Sequence, residues 1–259
     1  MIKKRLSLSE KNYIREMVQS GLSLKNIANR TGKSKTTVYY YFRDIRGRTI
    51  LPITINEEKS ELVGEFLGIV AGDGCLNKTK QHHYRVYLFF NKKEHAYVRE
   101  LYTALFYELF KKQPSLFDRK ERDIFILYFC SKEIYFFVKR YLTWDMTTRK
   151  SHSVHLKSRN HTTRFKIGFL RGLIDSDGYL SNDRIVFSTS SMKLAADIMQ
   201  FLDELHISYG FHIYKEKREN RVDMQHITIK RRDRNKFLKV IKPRERKNIC
   251  AGRDSNFRT

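Results

Sequence analysis

From the amino end onward, apolar residues recur at two different periods, and the change of period divides the chain. Tyr13, Ile14, Met17 and Val18 stand at helical spacing, with Ser9 placed as an N-cap and Gly21 as the closing cap. Leu24, Ile27 and Ala28 follow Ser23, Gly32 supplies a tight turn, and Ser34 opens a third helix through Lys35–Phe42. Three short helices over 7–46, the last two joined by a Gly-containing turn, are therefore expected. Residues 47–56 carry no period, and Pro52 disfavours helix and sheet interior alike, so this stretch reads as an extended linker.

Beyond residue 57, helical and alternating patterns succeed one another twice in the same order. The first set predicts a helix at 58–72, strands at 75–79 and 84–90, a helix at 94–110, strands at 115–119 and 124–130, and a helix at 132–142. The second predicts a helix at 164–176, a hairpin around Asn182–Asp183 leading into strand 184–189, a helix at 191–205, strands at 210–217 and 222–230, and a helix at 233–241. Residues 143–163 read as a connection and 243–259 as a basic tail. The expected class is α+β: a small all-α unit (1–47), a linker (48–56), and two αββαββα repeats, 57–155 and 156–259.

The duplication is legible residue by residue. Phe66-Leu67-Gly68-Ile69-Val70-Ala71-Gly72-Asp73-Gly74 returns 104 positions later as Leu170-Arg171-Gly172-Leu173-Ile174-Asp175-Ser176-Asp177-Gly178. Gly64, Gly68 and Gly72 in the first copy, and Gly168, Gly172 and Ser176 in the second, recur every fourth residue and so line one stripe of each helix. Interior glycine costs about 1 kcal/mol relative to alanine, so a stripe of them needs a compensating close approach. If the stripes face each other, Asp73 and Asp177 meet at the helix ends. Paired carboxylates require a cation between them, and hard oxygen ligands point to Mg²⁺, which can assist phosphodiester hydrolysis.

Charge narrows the partners. The 259 residues contain 52 Lys and Arg against 28 Asp and Glu, a formal net charge of +24, with 41% hydrophobic and 13% aromatic residues. Such an excess calls for a polyanionic partner, nucleic acid before membrane, because no strongly basic amphipathic helix stands out. No secretory signal follows the basic start, and no run reaches membrane-spanning length. Cys75, Cys130 and Cys250 are isolated thiols without CxxC spacing; they read as small buried side chains in a reducing, cytoplasmic setting.

The two nine-residue motifs resemble the signature of the LAGLIDADG homing endonucleases in their single-chain, two-motif form, over residues 57–242. The resemblance implies antiparallel sheets forming a saddle over the DNA major groove, and a monomer that cuts both strands of a long, asymmetric target. It implies metal coordination by Asp73 and Asp177, joined by the backbone carbonyls of Gly72 and Ser176, with Mg²⁺ as the cation and Mn²⁺ able to substitute. It also implies a basic group late in the fourth strand of a repeat. Lys230 fits that place, whereas the first repeat has Cys130 there, so either the chemistry is asymmetric or another base, such as Lys92 or Lys150, substitutes. Ala71 stands opposite Asp175, so Asp175 receives no metal role and is left to balance nearby positive charge.

Residues 27–38 similarly resemble the helix-turn-helix of bacterial and archaeal regulators and recombinases. That likeness implies a recognition helix over 34–43 with Lys35, Thr36 and Tyr39 toward DNA; residues 1–48 hold 12 Lys/Arg against 3 Asp/Glu. On the strands, alternation places His226, Thr228 and Lys230 outward and Ile227 and Ile229 inward. Arg85, Tyr87, Arg184, Ser188, His212 and Tyr214 are further candidates for readout of double-stranded DNA. A non-cleaving DNA-binding regulator or an RNA maturase would use the same saddle. A transposase site built from Asp73, Asp177 and Glu204 would need its first Asp on a strand, against the helical context of Asp73.

Overall fold

The computed structural model describes residues 6–46, 53–81, 83–92, 95–119, 123–145, 147, 149–181, 183–215 and 222–244. Two compact units divide the chain, Met1–Pro52 and Ile53–Thr259.

In the first unit, α1 (Leu8–Gln19), α2 (Leu24–Thr31) and α3 (Lys35–Arg46) enclose Ile14, Met17, Val18, Ile27, Ala28, Val38 and Phe42. Ser7, not Ser9, caps α1, because Glu10 completes a reciprocal capping box: Ser7 N–H donates to Glu10 Oε2 (2.8 Å) and Glu10 N–H to Ser7 Oγ (3.2 Å). Ser20 rather than Gly21 is the C-cap of α1. Ser23 caps α2, and Gly32 ends it in the left-handed region at φ +63°, which glycine adopts without steric cost.

The second unit repeats one order of elements. The first half runs α4 (Ser60–Asp73), β1 (Gly74–Lys78), β2 (Tyr84–Asn91), α5 (His95–Phe110), β3 (Ser115–Arg119), β4 (Ile124–Cys130) and α6 (Lys132–Tyr141). The second half runs α8 (Thr163–Ser176), β7 (Tyr179–Leu180), β8 (Ile185–Thr189), α9 (Met192–Glu204), β9 (Tyr209–Tyr214), β10 (Met224–Ile229) and α10 (Arg234–Ile241). Their antiparallel sheets have the same order, β1-β2-β4-β3 and β7-β8-β10-β9. One continuous core spans both halves, with Phe66, Phe106, Phe129 and Phe137 in the first and Phe169, Phe187, Phe201 and Phe237 in the second.

Residues 143–163 are more than a connection. β5 (Leu142–Thr143) pairs with β6 (His155–Leu156), and the one-turn α7 (Lys150–Ser153) lies between them. Buried Asp197 on α9 anchors this segment by accepting from Leu156 N–H (2.8 Å) and Arg159 Nε (2.5 Å). Cys75 and Cys130 are exposed, against the expectation of buried thiols, because each sits on an outward pleat. The tail beyond Arg244, with Cys250, and the linker through Pro52 lie outside the described residues, as does Asn182 of the expected hairpin. No helix among the described residues is long and apolar enough to cross a membrane.

Candidate active site and nucleic-acid interface

The glycine stripes face each other. A Cβ added at Gly64 would collide with the Phe165 carbonyl, at Gly68 with that of Phe169, at Gly168 with that of Glu61, and at Gly172 with that of Glu65. Backbone therefore meets backbone along α4 and α8, which is the close approach that offsets the helical cost of glycine. Charge is sealed beside the seam. Glu65 is 0% exposed and accepts from Arg171 Nη1 (3.1 Å) and from both Nε and Nη2 of Arg244. Arg171 also reaches Glu61 and donates to the Ile241 carbonyl (2.7 Å). Asp175 is buried and accepts from Arg244 N–H (3.2 Å), which ties α8 to the chain beyond α10.

At the carboxyl ends of the two helices the site assembles. Asp73 is the last residue of α4, whereas Asp177 is the C-cap of α8, donating its N–H to the Leu173 carbonyl (3.0 Å). A Cβ at Gly72 would stand 3.1 Å from Asp177 Oδ2, so this carboxylate lies against the opposite helix. Ser176 fills the last position of the stripe, its hydroxyl turned back to the Gly172 carbonyl (2.9 Å).

Lys150 reaches this point. Its ammonium donates to three successive carbonyls at the end of α4: Val70 (2.9 Å), Ala71 (2.8 Å) and Gly72 (2.6 Å). Burial lowers its pKa from 10.5 to about 8, against the opposing pull of Asp177, Asp73 and Cys75. Lys92, the other substitute considered, is paired with Asp118 at 3.0 Å. Lys230 is exposed and lies just past the end of β10, its N–H bonded to the Ser208 carbonyl (2.9 Å). Two carboxylates and the Gly72 carbonyl make a hard oxygen set suited to a divalent cation. Among the described residues there is no group of three or more His, Cys, Asp or Glu side chains that could hold a metal ion.

Residues 164–242 match the LAGLIDADG-like domain family, and residues 3–41 match a helix-turn-helix domain family. A helix-turn-helix-like segment at 3–41 thus precedes a LAGLIDADG-like domain at 164–242. Mesophilic variants of the homing endonuclease I-DmoI superpose at TM-score 0.56 and 21% identity, covering 71% of this chain and 97% of theirs. An I-DmoI variant in complex with its target DNA in the presence of Mg gives TM-score 0.57 at 20% identity, over 73% of this chain and 100% of that one. I-DmoI with DNA and Mn gives 0.54 at 22%, over 72% and 98%. These likenesses establish the fold. None of the curated proteins matches the chain.

Strand register places the remaining candidates of the LAGLIDADG-like unit on one face of each sheet. In the second sheet Ser188, His226 and His212 are cross-strand neighbours, with Ser188 Oγ 3.0 Å from His226 Nδ1 and Tyr214 edge-on to His226. Thr228 shares this face, and Arg184 is exposed just before β8. Ile227 and Ile229 are buried on the other face, as the alternation requires. Burial together with Arg184 and His212 lowers the pKa of His226. In the first sheet Arg85 and Tyr87 point outward, the guanidinium 3.0 Å from the Tyr87 hydroxyl. On α3, Lys35 and Thr36 are exposed and Tyr39 is half-buried. The sequence reading missed Tyr40 and Arg43, which form an exposed cation–π pair on the same helix with centres 5.7 Å apart. Their spacing from Thr36, at one and two helical turns, was the available signal.

Proposed function

We propose that this protein is a site-specific, double-strand DNA endonuclease of homing type that uses a divalent cation. The observation carrying this reading is the convergence of Asp73, Asp177 and Lys150 on the ends of two abutting helices. The net charge of +24 supports a polyanionic partner. The I-DmoI structures with DNA and Ca or Mn support a duplex and a divalent ion.

Asp73 and Asp177, with the carbonyls of Gly72 and Ser176, would hold Mg²⁺ or Mn²⁺. The chemistry supplied there is polarisation of a phosphodiester oxygen and a lowered pKa for bound water. Lys150, released from the Gly72 carbonyl, would hold its proton at Nζ and donate it toward a phosphate oxygen. Lys230 is left to contact a flanking phosphate. Arg85, Tyr87, Arg184, Ser188, His212, Tyr214, His226 and Thr228 would face the major groove. Lys35, Thr36 and Tyr39 would extend the footprint of a monomer. The non-cleaving reading draws on the Lys150 ammonium already engaging the Gly72 carbonyl, and it predicts binding without strand breaks.

The deciding experiment offers a randomised duplex library to the full chain with Mg²⁺ or with EDTA and sequences the cut ends. Discrete, Mg²⁺-dependent double-strand breaks are expected, and they should be lost in Asp73→Asn and Asp177→Asn while duplex binding persists. Wild-type cutting by either variant would remove the carboxylates from the mechanism.

A further inference from the structure

The two sheets are built alike, but at one register their outward faces differ in chemistry. Register makes the comparison position by position. Cys75, two residues after Asp73, is opposite Tyr87, and Tyr87 is opposite Tyr128; Tyr179, two residues after Asp177, is opposite Val186, and Val186 is opposite Thr228. One pleat further along, the first sheet sets Phe89, Ile126 and Phe117 side by side. The equivalent trio in the second sheet is Ser188, His226 and His212. Three hydrocarbon surfaces thus stand where the other half carries three hydrogen-bonding groups.

Two of the three rise out of the sheet around Ile126, which is itself buried at 5% exposed. Phe89 is 36% exposed and Phe117 is 54% exposed. Together with Tyr87, Tyr128 and Arg85 they line a shallow concavity of about 410 Å³ on the outward face. The Arg85 guanidinium at its rim is hydrogen-bonded to the Tyr87 hydroxyl. A contiguous apolar patch on the surface of a strongly basic chain marks a contact site. This patch is continuous with the face that carries Arg85, and the polar trio occupies the same position in the other half.

We propose that the two halves read DNA by different chemistry, with the exposed rings of Phe89 and Phe117, floored by buried Ile126, packing on thymine C5-methyl groups in the half-site beneath the first repeat. Ser188, His226 and His212 read hydrogen-bonding base edges in the other half-site. In the major groove the thymine methyl is the only apolar feature that distinguishes one base pair from another. A side chain without donors or acceptors can discriminate by burying it, and it leaves polar base edges unsatisfied where thymine is absent. The inference rests on the duplex-binding reading above and specifies the base composition of its target.

The test is a binding selection with the full chain, in EDTA, from a randomised duplex library. Each thymine of the recovered site is then replaced by uracil, which removes the methyl and keeps the pairing edge. One half-site should be thymine-rich, each replacement there should weaken binding about fourfold, and the effect should vanish in Phe117→Ser and in Phe89→Ser. Replacements in the other half should be silent, and His212→Ala should weaken binding without altering the uracil effect in the first half. Indifference to uracil in both halves, a uracil effect that survives both Phe substitutions, or a G·C-rich first half would overturn the proposal while leaving duplex binding intact. Preference for single-stranded RNA over every duplex would overturn both readings, because exposed rings then act as stacking platforms.

Discussion

Lys150 is where the chemistry of single residues is most exposed to test. Three N–H donors meet three carbonyls that close α4, and two nearby carboxylates favour the charged form, yet burial pulls its pKa down to about 8. The folded chain therefore releases this proton near pH 8 and the unfolded chain near 10.5. Between those values the unfolded state binds more protons, so stability attributable to Lys150 rises with pH across that window and is level below it. Urea unfolding of wild type and Lys150→Met from pH 7.5 to 10.5 should differ in slope there; parallel curves would mean the amine is not depressed. Asp73 and Asp177 were legible in the sequence because the motif repeats them at one spacing. The sequence pointed to Lys230 and offered Lys150 only beside Lys92, since Lys150 reaches Gly72 across 78 residues and only the fold of α7 brings it there. Exposure of Cys75 and Cys130 was equally hidden, because it depends on which pleat faces outward.

The two motif helices give the sharpest expectation among the elements. At Gly68 a Cβ would meet the Phe169 carbonyl head-on and lie 3.1 Å from the Gly172 α-carbon, and backbone cannot rotate away as a side chain can. Gly68→Ala should force the helices apart, lower stability by about 1–3 kcal/mol and impair any activity that needs Asp73 beside Asp177. Gly210, on β9, has nothing within 4 Å of the same added atom, so Gly210→Ala should be neutral or slightly stabilising. Thermal melts of the two variants provide the comparison; equal shifts would deny that the seam is special. The stripe itself was readable at fourfold spacing, and so were most helices and strands to within a residue or two. The β5–β6 pair was not, because two-residue strands carry no period and are held by Asp197 of a distant helix. The start of α1 was misplaced by two residues because either of two serines fits the cap, and only Ser7 has Glu10 three positions on.

For the whole molecule, the division at Pro52 makes the first unit separable in principle. Its core of Ile14, Val18, Ile27, Val38 and Phe42 is self-contained, and the second unit has its own continuous core from Val63 to Ile241. Removing residues 1–47 should therefore leave the remainder folded, with an unchanged melting transition for the LAGLIDADG-like unit. If the helix-turn-helix contacts DNA through Lys35, Thr36, Tyr40 and Arg43, the truncated protein should bind more weakly and protect a shorter footprint. The salt dependence separates contact from mere stabilisation. Each phosphate contact contributes about 0.9 to the slope of log affinity against log salt, so loss of the exposed cations on α3 should flatten that slope by one to a few such increments. A truncated protein with the wild-type slope and footprint would assign the three helices to packing alone. A lower affinity at an unchanged slope would place their contribution in uncharged contacts, for which the exposed Tyr40 ring is the first residue to replace.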